Sequence, residues 1–100
     1  MQPLWKWNGK FYGFRDGDEL FTTEKQHVGR FQGNDIFGKD GQYIGELIGD
    51  RLITNKSKKI FRGQSFTPRT DKIVGIVKHV DYVSNVMSSG CEDFPDPENL

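Results

Sequence analysis

Ile36-Phe37-Gly38-Lys39-Asp40-Gly41-Gln42-Tyr43-Ile44-Gly45-Glu46-Leu47-Ile48-Gly49-Asp50-Arg51 is one period of a sixteen-residue repeat. Its first four residues read as a short extended stretch. Asp40-Gly41 then gives a strong signal for a two-residue type I′ hairpin turn, whose central positions both need a positive φ. Residues 42–48 alternate and are rich in aromatic and β-branched side chains, as a strand should be. Gly49-Asp50 turns the chain again. One period is therefore a β-hairpin.

The same plan recurs outward from this unit, and repetition at a fixed period decides architecture before local propensity does. Leu4-Trp5, Leu20-Phe21, Ile36-Phe37 and Leu52-Ile53 open units at residues 4–19, 20–35, 36–51 and 52–67. Tyr12-Gly13, Val28-Gly29, Ile44-Gly45 and Ile60-Phe61 fall at one place inside them, and Gly17-Asp18, Gly33-Asn34 and Gly49-Asp50 close the first three. The first unit turns at Asn8-Gly9. Units two and four carry Glu24-Lys25 and Lys56-Ser57, residues that disfavour positive φ, so longer or less regular turns are expected there. No stretch shows the 3.6-residue apolar stripe of a helix.

The shared apolar columns define a predicted core: Leu4, Leu20, Ile36 and Leu52; Trp5, Phe21, Phe37 and Ile53; and Tyr12, Val28, Ile44 and Ile60. Glycine inside a strand is unfavourable unless another backbone or a large ring approaches closely. Gly13, Gly29 and Gly45 at equivalent places predict a crowded common centre, with Phe61 of the fourth unit as its plug. Two all-β closures fit four tandem hairpins. They could radiate about a pseudo-fourfold axis or form a small eight-stranded up-and-down barrel. The adjacent apolar pair opening each unit breaks the alternation a barrel demands and favours the radial form.

This series of apolar pair, Asn/Asp-Gly turn, aromatic-apolar-Gly strand and Gly-Asp turn resembles the four-fold β-flower domains of bacterial proteins. It is seen in residues 4–17 and 36–49 and, in degenerate form, in residues 20–33. Ile60-Phe61 matches the tendency of that family's last unit to replace the strand glycine with an aromatic. The resemblance covers residues 3–66 and departs from the pattern at Glu24-Lys25 and Lys56-Ser57. It implies a fold and carries no agreed activity, catalytic residue or ligand.

Beyond Pro68, Val74, Val77, Val80, Val83 and Val86 recur every third residue, with Ile73 and Ile76 interleaved. Such a stripe would wander round an α-helix and swap faces along a strand. Three residues per turn is the period of polyproline II. Three readings stay open for residues 70–87: ordinary strand, for which residues 72–78 are suitably β-branched, helix, or an extended three-fold segment laid across the domain. Residues 88–100, with Pro95, Pro97 and four acidic residues, read as a disordered tail. The chain thus divides into one domain over residues 1–87, its extension at 68–87 included, and the tail.

Charge is balanced at 14 basic and 14 acidic residues, but residues 1–87 hold 14 basic against 10 acidic, a net of +4. That surplus permits a nucleic-acid partner without demanding one. Cys91 is the only cysteine, which excludes an intrachain disulfide and a CxxC-type metal site. No apolar run approaches the roughly 18 residues of a membrane span, and the N-terminus lacks the layout of a secretion signal. A cytoplasmic protein without a membrane partner is expected.

No nucleophile elbow, P-loop or HExxH motif is present, so a non-enzyme without cofactor or metal is expected. His27 shares the column of Phe11 and Tyr43 and is expected to pack as a flat ring; His79 stands alone. Asp18, Asp40 and Asp50 fall at turns, where carboxylates bond their own backbone. A single small core cannot hide every ring. Trp5, Trp7, Phe14 and Phe31 are therefore the candidate patch for binding another protein, as in an immunity- or effector-associated accessory module. The alternative is a nucleic-acid or phosphate surface at Lys56, Lys58, Lys59 and Arg62, joined by Arg69 and Lys72, with Phe61 and Phe66 interleaved. Against that stands a solvated face whose lysines protect a sheet edge.

Overall fold

The computed structural model describes residues 1–70 and 77–100. Among the described residues eight strands follow in chain order: β1 (Gln2–Lys6), β2 (Phe11–Asp16), β3 (Glu19–Thr22), β4 (His27–Gln32), β5 (Asp35–Phe37), β6 (Tyr43–Ile48), β7 (Arg51–Asn55) and β8 (Cys91–Asp93). Each pairs antiparallel with the next. β1 also lies parallel to β7, Trp5 opposite Arg51 and Lys6 opposite Leu52. The tandem-hairpin, all-β architecture is as expected. Of the two closures the sequence allowed, the up-and-down barrel is the one found, with seven strands closed and β8 added on β7.

Bulges make the closure. Leu4 pairs with Gly13 and Trp5 with Phe11, which leaves Tyr12 as an extra residue on β2. Val28 on β4 and Ile44 on β6 are left over in the same way. A bulge bends its strand and increases the local twist, a device that curls a sheet into a barrel. The next residue has no room for a side chain. A Cβ on Gly29 would lie 2.9 Å from Ile36, and one on Gly45 would lie 2.5 Å from the Phe94 ring.

Both faces of the barrel wall are covered, which corrects the inference drawn from the adjacent apolar pairs. Leu4, Leu20, Ile36 and Leu52 fill the interior with Tyr12, Phe31, Leu47 and Phe94. The second member of each pair points outward, opposite a ring of the next strand: Trp5 with Phe11, Phe21 with His27, Phe37 with Tyr43. The pairs do alternate, and the outer side chains are buried because the C-terminal third runs over them as a belt. Its rings meet these pairs in reverse chain order. Phe61 lies 6.4 Å from Tyr43 between centroids, Phe66 stacks on His27 at 4.6 Å, and Tyr82 stacks on Trp5 at 3.9 Å.

The fourth unit has no second arm. A 3-10 turn over Lys56–Lys58 follows β7, and Phe61 stands where the other units need glycine against the neighbouring strand. Ile60, expected in the core, is 81% exposed, and Phe61, expected as the central plug, is 44% exposed. The plug is Phe94, at 1% exposure. It comes from the region expected to be a disordered tail. There β8 takes the edge of β7 that the missing arm leaves open, pairing Ile53 with Asp93 and Asn55 with Cys91.

Residues 77–87 are extended, without helix or sheet pairing. The carbonyls of Val80, Val83 and Val86 accept from Trp5 Nε1 (2.8 Å), Arg51 Nη2 (2.9 Å) and Trp7 Nε1 (2.9 Å). The amides of Tyr82 and Asn85 donate to the carbonyls of Gly9 (2.7 Å) and Trp7 (3.0 Å). The barrel thus holds residues 80–86 at every third position, the spacing of a three-fold extended segment. Of the residues behind the strand reading, those at 72–76, Val74 included, lie outside the described residues.

Lys25 has φ +64° at the place held by Gly9 and Gly41 in the other hairpins. The Thr22 hydroxyl holds this turn, accepting from the amides of Glu24 and Gln26 at 3.2 Å each. A left-handed conformation costs a residue with a Cβ about 1–2 kcal/mol, partly offset by the extra flexibility glycine brings to the unfolded chain. Lys25→Gly should therefore raise stability by about 0.5–1 kcal/mol in urea unfolding, whereas Lys25→Ala should give no gain.

Candidate functional site

The rings expected to form an interaction patch are mostly covered. Trp5 and Phe14, each 3% exposed, cluster with Phe11. Phe31 is equally buried, with the Arg15 guanidinium 4.0 Å above its ring. Trp7 alone is half-buried, its indole tied to Val86. Phe31 lies inside the barrel; for Trp5 and Phe14 the expectation failed because it assumed a one-sided core. The belt supplies a second buried layer, made by contacts between residues such as Trp5 and Val80 that lie far apart in the chain.

The basic cluster is largely neutralised. Lys58 bonds Asp35 (3.2 Å) and Glu46 (3.0 Å), contacts that raise its pKa. Lys59 pairs with Glu92. Arg62 donates to the carbonyls of Lys59 and Phe61. Lys56 is exposed and forms no ion pair among the described residues. Lys72 lies outside them.

His27 packs as a flat ring between Phe21 and Phe66, as its column implied. Its Nδ1 accepts from the amide of Arg69 at 2.8 Å, so Nε2 carries the proton given to Glu19 at 2.6 Å. Arg30 also donates to Glu19, at 3.0 Å. This site joins hairpin two to the belt. Among the described residues no group of three or more His, Cys, Asp and Glu could hold a metal ion. No helix there is long and apolar enough to cross a membrane.

What remains presented is different from the expected patch. Val77, Val80, Val83 and Val86 form the outer edge of the belt, 64%, 82%, 85% and 91% exposed. At the end of the barrel where Phe94 enters, residues 94–100 lie between two clefts. The larger, about 940 Å³, has Val28 and Ile44 in its wall with Lys25, Lys39 and Asp40 around it. The smaller, about 530 Å³, includes Tyr12, Lys10 and Thr23. A search for exposed rings could not find either feature. The three-residue valine period was the visible signal for the first.

Compared with protein-family models, curated proteins and solved structures, the chain has no match. The functional reading therefore rests on these geometries.

Burial alone would raise the pKa of Glu19, but its hydrogen bonds to Arg30 and His27 outweigh this and hold it below the ordinary 4.5. The bond from Lys6 likewise lowers Asp96, against a smaller desolvation effect. A carboxyl with a depressed folded pKa stabilises the fold above its unfolded pKa, and that contribution disappears as pH falls through the folded value. Wild-type stability should drop more steeply below about pH 5 than that of Glu19→Gln, read by urea midpoints along an acid series.

Proposed function

We propose that this chain is a non-catalytic protein-binding module of the bacterial cytoplasm that contacts its partner through the valine edge of the belt. One observation carries the reading: four valines, 64–91% exposed, stand in a row on a backbone tied to the barrel at regular steps. Exposed apolar side chains in a contiguous line mark interaction surfaces. A segment already ordered loses little further freedom on binding, which favours affinity. In a three-fold extended helix the valines stand about 9 Å apart. The partner is a protein with an apolar groove able to take a side chain at each step.

The resemblance to β-flower domains and the role of an immunity- or effector-associated accessory belong to this proposal, and the small single domain supports them. Nucleic-acid binding through Lys56, Lys58, Lys59 and Arg62 is less favoured, because acidic partners already engage Lys58 and Lys59. The test compares pulldowns from the native host using wild type, Val80→Asp/Val83→Asp and Lys56→Glu. The valine double variant should lose the recovered partner at least about tenfold, with stability unchanged within roughly 0.5 kcal/mol as expected for exposed sites. Lys56→Glu should recover it as wild type does. Retention on heparin that falls steeply with salt, abolished by Lys56→Glu, would overturn the reading.

A further inference from the structure

The mouth of the barrel holds an arrangement that the valine edge does not use. Residues 91–96 occupy it as a peptide occupies a docking site. Cys91–Asp93 add to the open edge of β7. Phe94 enters a slot walled by Gly45, and Tyr12 meets its ring edge-on at 5.1 Å. The flanking carboxylates each find a dedicated partner. Asp93 accepts from the amides of Trp7 (3.0 Å) and Asn8 (3.1 Å), Glu92 pairs with Lys59, and Asp96 pairs with Lys6 at 2.7 Å. Strand addition of this kind gives affinity through the main chain and selectivity through side-chain pockets.

The resident segment is an imperfect occupant. Clefts of about 940 and 530 Å³ flank it. The Tyr12 hydroxyl, in the wall of the smaller one, is buried with no hydrogen-bond partner among the described residues. Lys10 beside it and Lys25 and Lys39 around the larger cleft form no ion pair among the described residues. The only link between the belt and β8 is a short turn at residues 88–90, with Gly90 at φ +80°.

We propose that this mouth is a docking site for an extended acidic segment of a partner protein carrying one buried phenylalanine, and that residues 91–96 are its internal competitor. The ligand chemistry is read from the resident: carboxylates before and after the ring, matched to Lys59, the amides of Trp7 and Asn8, and Lys6. A better ligand would also bring a hydrogen-bond acceptor to Tyr12 and negative charge to Lys10. This site is distinct from the valine edge and stands if that reading fails.

The probe is a synthetic peptide of residues 88–100 with Cys91→Ser, added to the full-length chain. Cys91, the chain's only thiol, is half-buried in the resident strand, and displacement frees it fully, so the rise of its reaction rate with a thiol reagent over the basal rate reports opening. A tethered competitor acts at an effective concentration in the millimolar range, so millimolar peptide should speed Cys91 modification about fivefold. The same peptide with Phe94→Ala should leave the rate unchanged. A chain carrying Phe94→Ala should bind the wild-type peptide at least about tenfold more tightly than wild type does, because its competitor is weakened. Should that variant fail to fold, the thiol rates of the wild-type chain decide alone. An unchanged Cys91 rate at millimolar peptide overturns the proposal. So does a dimer that exchanges its tails without peptide, which would make a second copy the donor.

Discussion

The molecule depends on three residues that have no partner across the ladder. Tyr12, Val28 and Ile44 are each one residue too many for the strand opposite, and each is followed by a glycine that lets the neighbouring chain or ring come close. Repeated at one place in successive hairpins, the bulge gives every unit the same bend. Three equal bends bring β7 round to β1. The curvature also sets the interior volume, which four aliphatic residues from the repeat, the inward rings and Phe94 then fill.

The hairpins were legible because their signal is local: turn residues, alternation and a fixed period. The closure was not, because the rule applied to it presumed one buried face. Leu4 and Trp5 look like a break in alternation only if Trp5 is expected to meet solvent. In the structure its ring lies beneath Tyr82, seventy-seven residues away in the chain. Phe14 was misjudged for the same reason, whereas Phe31 lies inside the barrel beside Leu20 and Ile36. Ile60 failed differently, since its column was extended into a unit that had lost the glycine its strand requires. Phe94 was hidden by its surroundings: prolines and carboxylates suggest disorder, and nothing local shows that Glu92, Asp93 and Asp96 have partners waiting.

The C-terminal third therefore acts less as an appendage than as the outer half of the core. It contributes Phe61, Phe66 and Tyr82 to the outer rings and Phe94 to the inner cluster, and it is fixed by main-chain bonds to Trp5, Trp7 and Arg51. Its valines are the portion of the period that could not be turned inward once His79 and Tyr82 had taken the inner face. The candidate surfaces follow from this division. The barrel offers almost no exposed ring, and what is presented belongs to the wrapping chain or to the opening it closes.

An odd number of strands in an up-and-down sheet can close only by laying two of them side by side in the same direction, here β1 and β7. That seam has a consequence for synthesis on the ribosome. β2 through β6 can each find a mate among immediate neighbours as they emerge, while β1 keeps one bare edge until residue 51 has been added. Even then the interior stays unstoppered until residue 94 arrives. The nascent chain thus passes through a stage in which β1 is the more adhesive strand, and the arrival of β7 ends that stage.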